Sequence, residues 1–145
     1  MTPSRILPDL QCSLLCEDVR QEINGNFVLL GVLNQVRVPQ VPLTVGRLFV
    51  FNRWTAGYGQ FIECIRVIAP DQTTVLRKSE MKFDLSDVTG HSINVTVLGG
   101  LKLETGGSYF VEILVDDVMK IRYPLTIHVV PPKGQPQGGP GAAQP

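Results

Sequence analysis

Few residues of this chain have the chemistry for catalysis or metal binding. Its cysteines are Cys12, Cys16 and Cys64, and its histidines are His91 and His128. On a strand Cys12 and Cys16 share a face but sit about 13 Å apart, too far to ligate one ion. Cys64 falls in another segment, and the CxxC spacing of zinc sites is absent. Buried, reduced thiols acting as small hydrophobes are the simpler reading. A cysteine nucleophile needs a base within hydrogen-bond reach, itself held by a third group. Cys16, His91 and Asp84 would make such a set, but nothing in their spacing draws them together. Neither Gly99-Gly100 nor Gly106-Gly107 is followed by Lys-Ser/Thr, so there is no phosphate loop, and GxGxxG is absent. Asp84 with Asp87, and Asp116 with Asp117, offer oxygen ligands for a calcium cup. Asp is also a common turn former, and that reading prevails. Asn94-Val95-Thr96 matches a glycosylation sequon but lies mid-strand. No catalytic residue, metal or cofactor is expected.

Binding chemistry is better supplied. Arg53, Trp54 and Tyr58 are residue types that dominate interface hot spots, and Gly57 and Gly59 mark a loop beside them. Trp54 and Tyr58 would also stack a sugar or another small ligand. The alternative for Trp54 is the core tryptophan of a sandwich. Phe49 and Phe51 oppose Leu48, Val50 and Trp54 along one strand, so one of the two sets must find cover outside a two-sheet core. They are the candidate interface residues. Glu17, Asp18 and Arg20 interrupt an otherwise apolar hairpin, and an internal ion pair that pins register is the preferred account of them.

Thirteen basic residues balance thirteen acidic ones, and charged residues are 18% of the chain. Without a basic field, nucleic acid and anionic membrane surfaces are poor partners. The same balance leaves little repulsion between copies and is compatible with self-association. MTPSRILPDL has no apolar core and no cleavage site of a signal peptide, and no run approaches the ~20 apolar residues of a membrane span. A cytoplasmic protein is expected.

The segments that must position these residues are short, β-rich and punctuated by turns. Residues 1–9 read as a lead-in, 10–130 as one β-sandwich domain, and 131–145 (PPKGQPQGGPGAAQP) as a disordered tail. Asn24-Gly25 predicts a two-residue hairpin turn between Leu10–Arg20 and Phe27–Val36, with Glu22 facing Phe27 and Asp18 facing Gly31. That register gathers Leu15, Val19, Ile23, Val28, Leu30 and Val32 on one face. Leu14, Cys16, Leu29 and Leu33 remain on the other, so the hairpin is covered on both sides or carries a bulge near Glu17-Asp18. Further strands follow at Val45–Trp54, Phe61–Ala69, Lys78–Leu85, His91–Leu98, Tyr109–Val115 and Met119–Val130. Pro124 puts the last at an edge or a bulge. Tyr109, three residues after Gly106, fits a tyrosine corner. Seven to nine strands without a helical stripe predict an all-β, Ig-like antiparallel sandwich.

The run Leu15-Cys16-Glu17-Asp18-Val19-Arg20, then Glu22, Asn24-Gly25 and Leu29-Leu30-Gly31-Val32, resembles the opening of a family of short bacterial proteins grouped only as a domain of unknown function. The likeness spans about Leu10–Val130. It implies a bacterial, intracellular origin and carries over no catalytic residue. The function expected is therefore a non-catalytic sandwich acting through protein–protein contact, as a homo-oligomer or with a protein partner. A small-ligand or carbohydrate module using Trp54 and Tyr58 is the second reading, and a Cys/His enzyme the third.

Overall fold

A computed structural model describes residues 5–131. Nine strands run in order: β1 (Asp9–Gln21), β2 (Phe27–Val32), β3 (Val36–Val38), β4 (Leu43–Thr55), β5 (Gly59–Ile68), β6 (Val75–Leu85), β7 (His91–Leu103), β8 (Gly107–Val115) and β9 (Val118–Val129). They form two sheets, ordered β2-β1-β4-β7 and β3-β9-β8-β5-β6. The all-β expectation holds at its upper strand count. No helix of the described residues is long and apolar enough to cross a membrane. The tail expected after Pro131 lies outside the described residues.

Period-2 alternation builds the core. Leu48, Val50 and Trp54 of β4 face Phe61, Ile65 and Val67 of β5, with Val111, Ile113 and Val115 of β8 completing one cluster. Pro124 sits opposite Phe110, where β9 has no partner on its other side, because β3 pairs only with Ile127–Val129. The missing N–H therefore costs no ladder bond. Tyr109 is buried, and its hydroxyl donates to the Thr105 carbonyl at 2.6 Å, closing the expected corner. Asp116 and Asp117 make a two-residue turn between β8 and β9, both at positive φ (47° and 68°).

The first hairpin departs from expectation twice. Its loop has three residues, Ile23-Asn24-Gly25: Gly25 N–H donates to Glu22 O (2.8 Å) and Glu22 N–H to Asn26 O (2.7 Å). Only Gly25 there takes positive φ (95°), while Asn24 Oδ1 accepts the Asn26 N–H at 2.9 Å. A side chain spent on its own turn leaves Asn24 out of the primed geometry. The register is one residue off, with Gln21 facing Phe27 and Asp18 facing Leu30, and Ile23 stands exposed at the tip rather than inward.

The second departure is a break at Glu17 and Gly31, where the ladder skips a pair and Gly31 adopts φ 67°. Leu15 pairs with Val50 on the core face. Strict alternation from there would bring Gln21, and with it Phe27, to that same face. Instead Phe27 meets Phe51 edge-to-face, ring centroids 5.9 Å apart, on the opposite side. The Gly31 kink thus turns the hairpin tip over the outer face of the sheet. Phe51 lies under Phe27, and the Arg47 guanidinium stands 5.4 Å above the Phe49 ring. These rings, expected to await a partner, are covered within the chain at 7% and 8% exposure. Each ring so buried contributes about 1.5–3 kcal/mol. The break at Glu17 and Gly31 lets the chain itself cover rings that were expected to need a second subunit.

Gly31→Ala is expected to cost about 1–2 kcal/mol, the penalty of a left-handed conformation for an L-residue. Glu17, whose Oε1 a Cβ there would meet at 2.4 Å, is flexible and exposed and moves aside. Gly46, with open space and ordinary φ, is the control. Urea midpoints should fall for Gly31→Ala and not for Gly46→Ala. Equal midpoints would mean that the kink survives without glycine.

Candidate functional site

The three residues read as a binding platform are dispersed. Trp54 points into the sandwich and is fully buried, stacked on Phe83 with ring centroids 5.4 Å apart. Arg53, its neighbour on β4, must project from the other face, where it pairs with Cys12 and Ile93. Tyr58 lies past the turn and is partly exposed. No aromatic platform forms, because Trp54 is the core tryptophan that the sequence left as its alternative.

What Trp54 does is donate. Its Nε1–H reaches Glu63 Oε2 at 2.7 Å, and Asn52 and Asn94 donate to the same oxygen from 3.1 and 3.2 Å. Glu63 is 1% exposed. Its Oε1 and Asn52 Oδ1 have no hydrogen-bond partner among the described residues. Burial lifts the Glu63 carboxyl above its ordinary 4.5, and the three donors oppose the lift without cancelling it. No charged side chain of β4, β6, β7 or β8 acts on it. No motif singles this residue out. The available signal was Glu63 standing in phase with Phe61, Ile65 and Val67, a carboxyl at a core position.

The thiols and imidazoles stay apart. Cys16 and Cys64 are buried, and burial raises both thiols, which leaves them weak nucleophiles. His91 and His128 are exposed. Cys16 opposes Phe49 and His91 opposes Thr55, six residues along β4, hence about 20 Å apart. Among the described residues no three His, Cys, Asp or Glu side chains gather as a metal group would. Asp87 and Asp71 instead bind turn amides: Asp87 accepts from Thr89, Asp71 from Thr73 and Thr74. Asp18 is held below its ordinary value by the Arg20 hydrogen bond at 3.1 Å; this pair is exposed and lies within β1, so it is not the internal, register-pinning pair expected of this hairpin.

Two surfaces remain. One is an open groove of about 1070 Å³ at the β5–β6 end, lined by Tyr58, Gln60, Phe61, Lys82, Asp84 and Ser86 among others. Arg5 lies in it, paired with Asp116, donating to the Gln60 carbonyl at 2.8 Å and standing 4.7 Å over Phe61. The other surface is the edge strand β2. Its sequence FVLLGV has no charge, and Val28, Leu30 and Val32 are 37%, 37% and 49% exposed. The remaining edges are guarded. β6 carries Arg77, Lys78, Glu80, Lys82 and Asp84; β7 has its Gly99 carbonyl, at one point of the strand, taken by Arg77 at 2.7 Å; β3 is three residues long, and the stretch of β9 it leaves open carries Lys120, Arg122 and Pro124.

A family model described as a family of unknown function (DUF6941) matches residues 11–128. None of the curated proteins compared matches the chain.

The buried carboxyl gives a pH test. A raised pKa means that the fold binds the Glu63 proton more tightly than the unfolded chain does. Its stabilising contribution is full below about 4.5 and falls as pH rises through the folded value. Asp71, held to about 2 chiefly by Thr74, acts in the opposite sense at acid pH but cancels in a comparison with Glu63→Gln. Urea midpoints from about pH 4 to pH 9 should drop for wild type relative to that variant. Parallel profiles would mean that Glu63 does not titrate in this window.

Proposed function

We propose that this chain, which belongs to the DUF6941 family of unknown function, is a non-catalytic module acting through protein–protein contact along the open edge of β2. The observation that carries this is the contrast among edges. The others are blunted by charge, by a neighbouring arginine, by proline or by brevity, whereas β2 is uncharged and apolar. Unpaired strand N–H and C=O groups on such an edge accept another strand by main-chain hydrogen bonding, with alternate side chains adding burial. Antiparallel pairing of β2 with β2 of a second copy satisfies both edges at once and closes with two-fold symmetry. Zero net charge opposes it little. The Ig-like reading of the scaffold finds support in the β9-β8-β5-β6 order facing β4-β7, in the β3 strand lying parallel on β9, and in the Tyr109 corner. A small-ligand role now rests on Tyr58 and its groove without Trp54, and it is the weaker reading.

Sedimentation equilibrium tests the main one. Wild type should form a dimer at tens of micromolar, and Val28→Lys with Val32→Lys should shift it to monomer without loss of stability, since both residues are already exposed. A wild-type monomer at about 100 µM, a hundredfold above a micromolar Kd, would remove the homo-oligomeric form of the proposal.

A further inference from the structure

The N-terminal segment Arg5–Pro8 crosses the β4–β5 connection before β1 begins. Its main chain is tied there by one bridge, Ile6 N–H to Tyr58 O (2.8 Å) and Tyr58 N–H to Ile6 O (2.9 Å). Gly57 permits the approach, because a Cβ there would come within 2.6 Å of Pro8. At the end of this strap the Arg5 side chain enters a slot whose walls belong to other elements. The Phe61 ring supplies a flat face at 4.7 Å, the Gln60 carbonyl accepts at 2.8 Å, and the Asp116 carboxylate accepts alongside.

That carboxylate is positioned without help from Arg5. Asp116 Oδ1 accepts the Ile62 N–H at 2.9 Å, and the Asp116 N–H donates to Ile62 O at 2.9 Å. The residue is held at φ 47° in the two-residue turn. A guanidinium fits this set: Nη2 alone donates to both acceptors, while the delocalised cation's carbon stands over the ring. An ammonium could donate to both acceptors but brings no planar, weakly hydrated cation to the ring.

We propose that this slot is a guanidinium-recognition site, filled here by the chain's own Arg5, which takes an arginine side chain of another polypeptide in exchange. Charge complementarity defines the occupant: an anchored carboxylate and a carbonyl at the edge of an aromatic face. Exchange is open because the Arg5 side chain is 49% exposed and lies beyond the strap's ties to the sheet among the described residues, the Ile6–Tyr58 bridge and the buried Pro8. The groove continues past the slot along Asp84 and Ser86, with room for residues flanking a guest arginine. The site rests on the strap and is independent of the β2 edge.

The test empties the slot and refills it. Arg5→Ala is titrated with N-acetyl-arginine amide, with N-acetyl-lysine amide as the control probe. At about ten times Kd the arginine probe should raise Tm by about 5 °C and move the Ile62 and Gln60 amide resonances. The lysine probe should do neither. Wild type should respond only at higher arginine-probe concentration, because its tethered arginine must first be displaced, and silence there would mean that Arg5 does not exchange. The double variant with Asp116→Asn should also be silent. Should Arg5→Ala fold poorly, Arg5→Gln keeps most of the stem and removes the cation, and the same pattern is expected of it. No response to arginine, or an equal response to lysine, would reduce Arg5 to a structural pin and overturn the proposal.

Discussion

A carboxyl group cannot sit alone between two apolar sheets. Removing it from water costs several kcal/mol unless hydrogen bonds replace those it loses. Glu63 meets that constraint by drawing Trp54, Asn52 and Asn94 onto one oxygen. Three donors from β4 and β7 of one sheet therefore converge on an acceptor from β5 of the other. Apolar packing tolerates small sliding between sheets; three hydrogen bonds to a single atom do not. The network fixes the depth of Trp54, and Trp54 stacks on Phe83, which packs on Phe61 at 5.6 Å. The ring that walls the Arg5 slot is thus seated, through two aromatic contacts, on the buried carboxyl.

The second constraint is a surplus of apolar residues. β4 carries large hydrophobes on both faces, and a two-sheet sandwich covers only one. A hairpin long enough to curl back solves this within the chain, provided its strands change face partway. A single glycine in the left-handed region, opposite an exposed glutamate, makes that change. The solution has a consequence for the surface. Phe27 turns onto Phe51, while Val28, Leu30 and Val32 remain exposed on a strand with no outer neighbour. Covering the outer face and opening the β2 edge are one structural event.

Much of this was legible because it is local. Alternation located β4, β5, β7 and β8, and the offset from Gly106 to Tyr109 identified the corner. The apolar surplus on both faces of the hairpin left cover on both sides or a bulge near Glu17-Asp18 as the alternatives; the ladder breaks at Glu17 and Gly31 without a shift of register. The turn was misread because Asn24-Gly25 suits a two-residue and a three-residue loop alike; the choice lay with the Asn24 side chain, which bonds Asn26. Trp54 could not be placed from residue type, since a core tryptophan and an exposed one read alike in a strand apolar on both faces. Glu63 was hidden by its ordinariness, one acid in FIECIRV, although its phase pointed inward. The Arg5 slot was invisible for a plainer reason. Its acceptors lie 55 and 111 residues away, and no local pattern reports contacts of that span.

The Asp116-Asp117 turn shows how placement can outweigh local preference. A two-residue hairpin loop with both residues at positive φ is ordinarily filled by Asn-Gly or Asp-Gly, because glycine bears no steric penalty there. Here the second position is Asp117, so strain that a glycine would relieve is retained. The first position cannot be glycine without losing what the turn supports, because its carboxylate binds the Ile62 N–H and the Arg5 guanidinium together. Partial burial raises that carboxyl, and the hydrogen bonds from Arg5 and Ile62 more than reverse the effect, leaving it below its ordinary value. The carboxylate thus stays ionised where β5, the β8–β9 turn and the N-terminal strap meet. Among the described residues the strap's other ties to the sheet are the bridge at Tyr58 and the buried Pro8, both behind Arg5. Strain in the turn is the local cost of an anchored charge, and the anchored charge is what fastens the start of the domain to its far end.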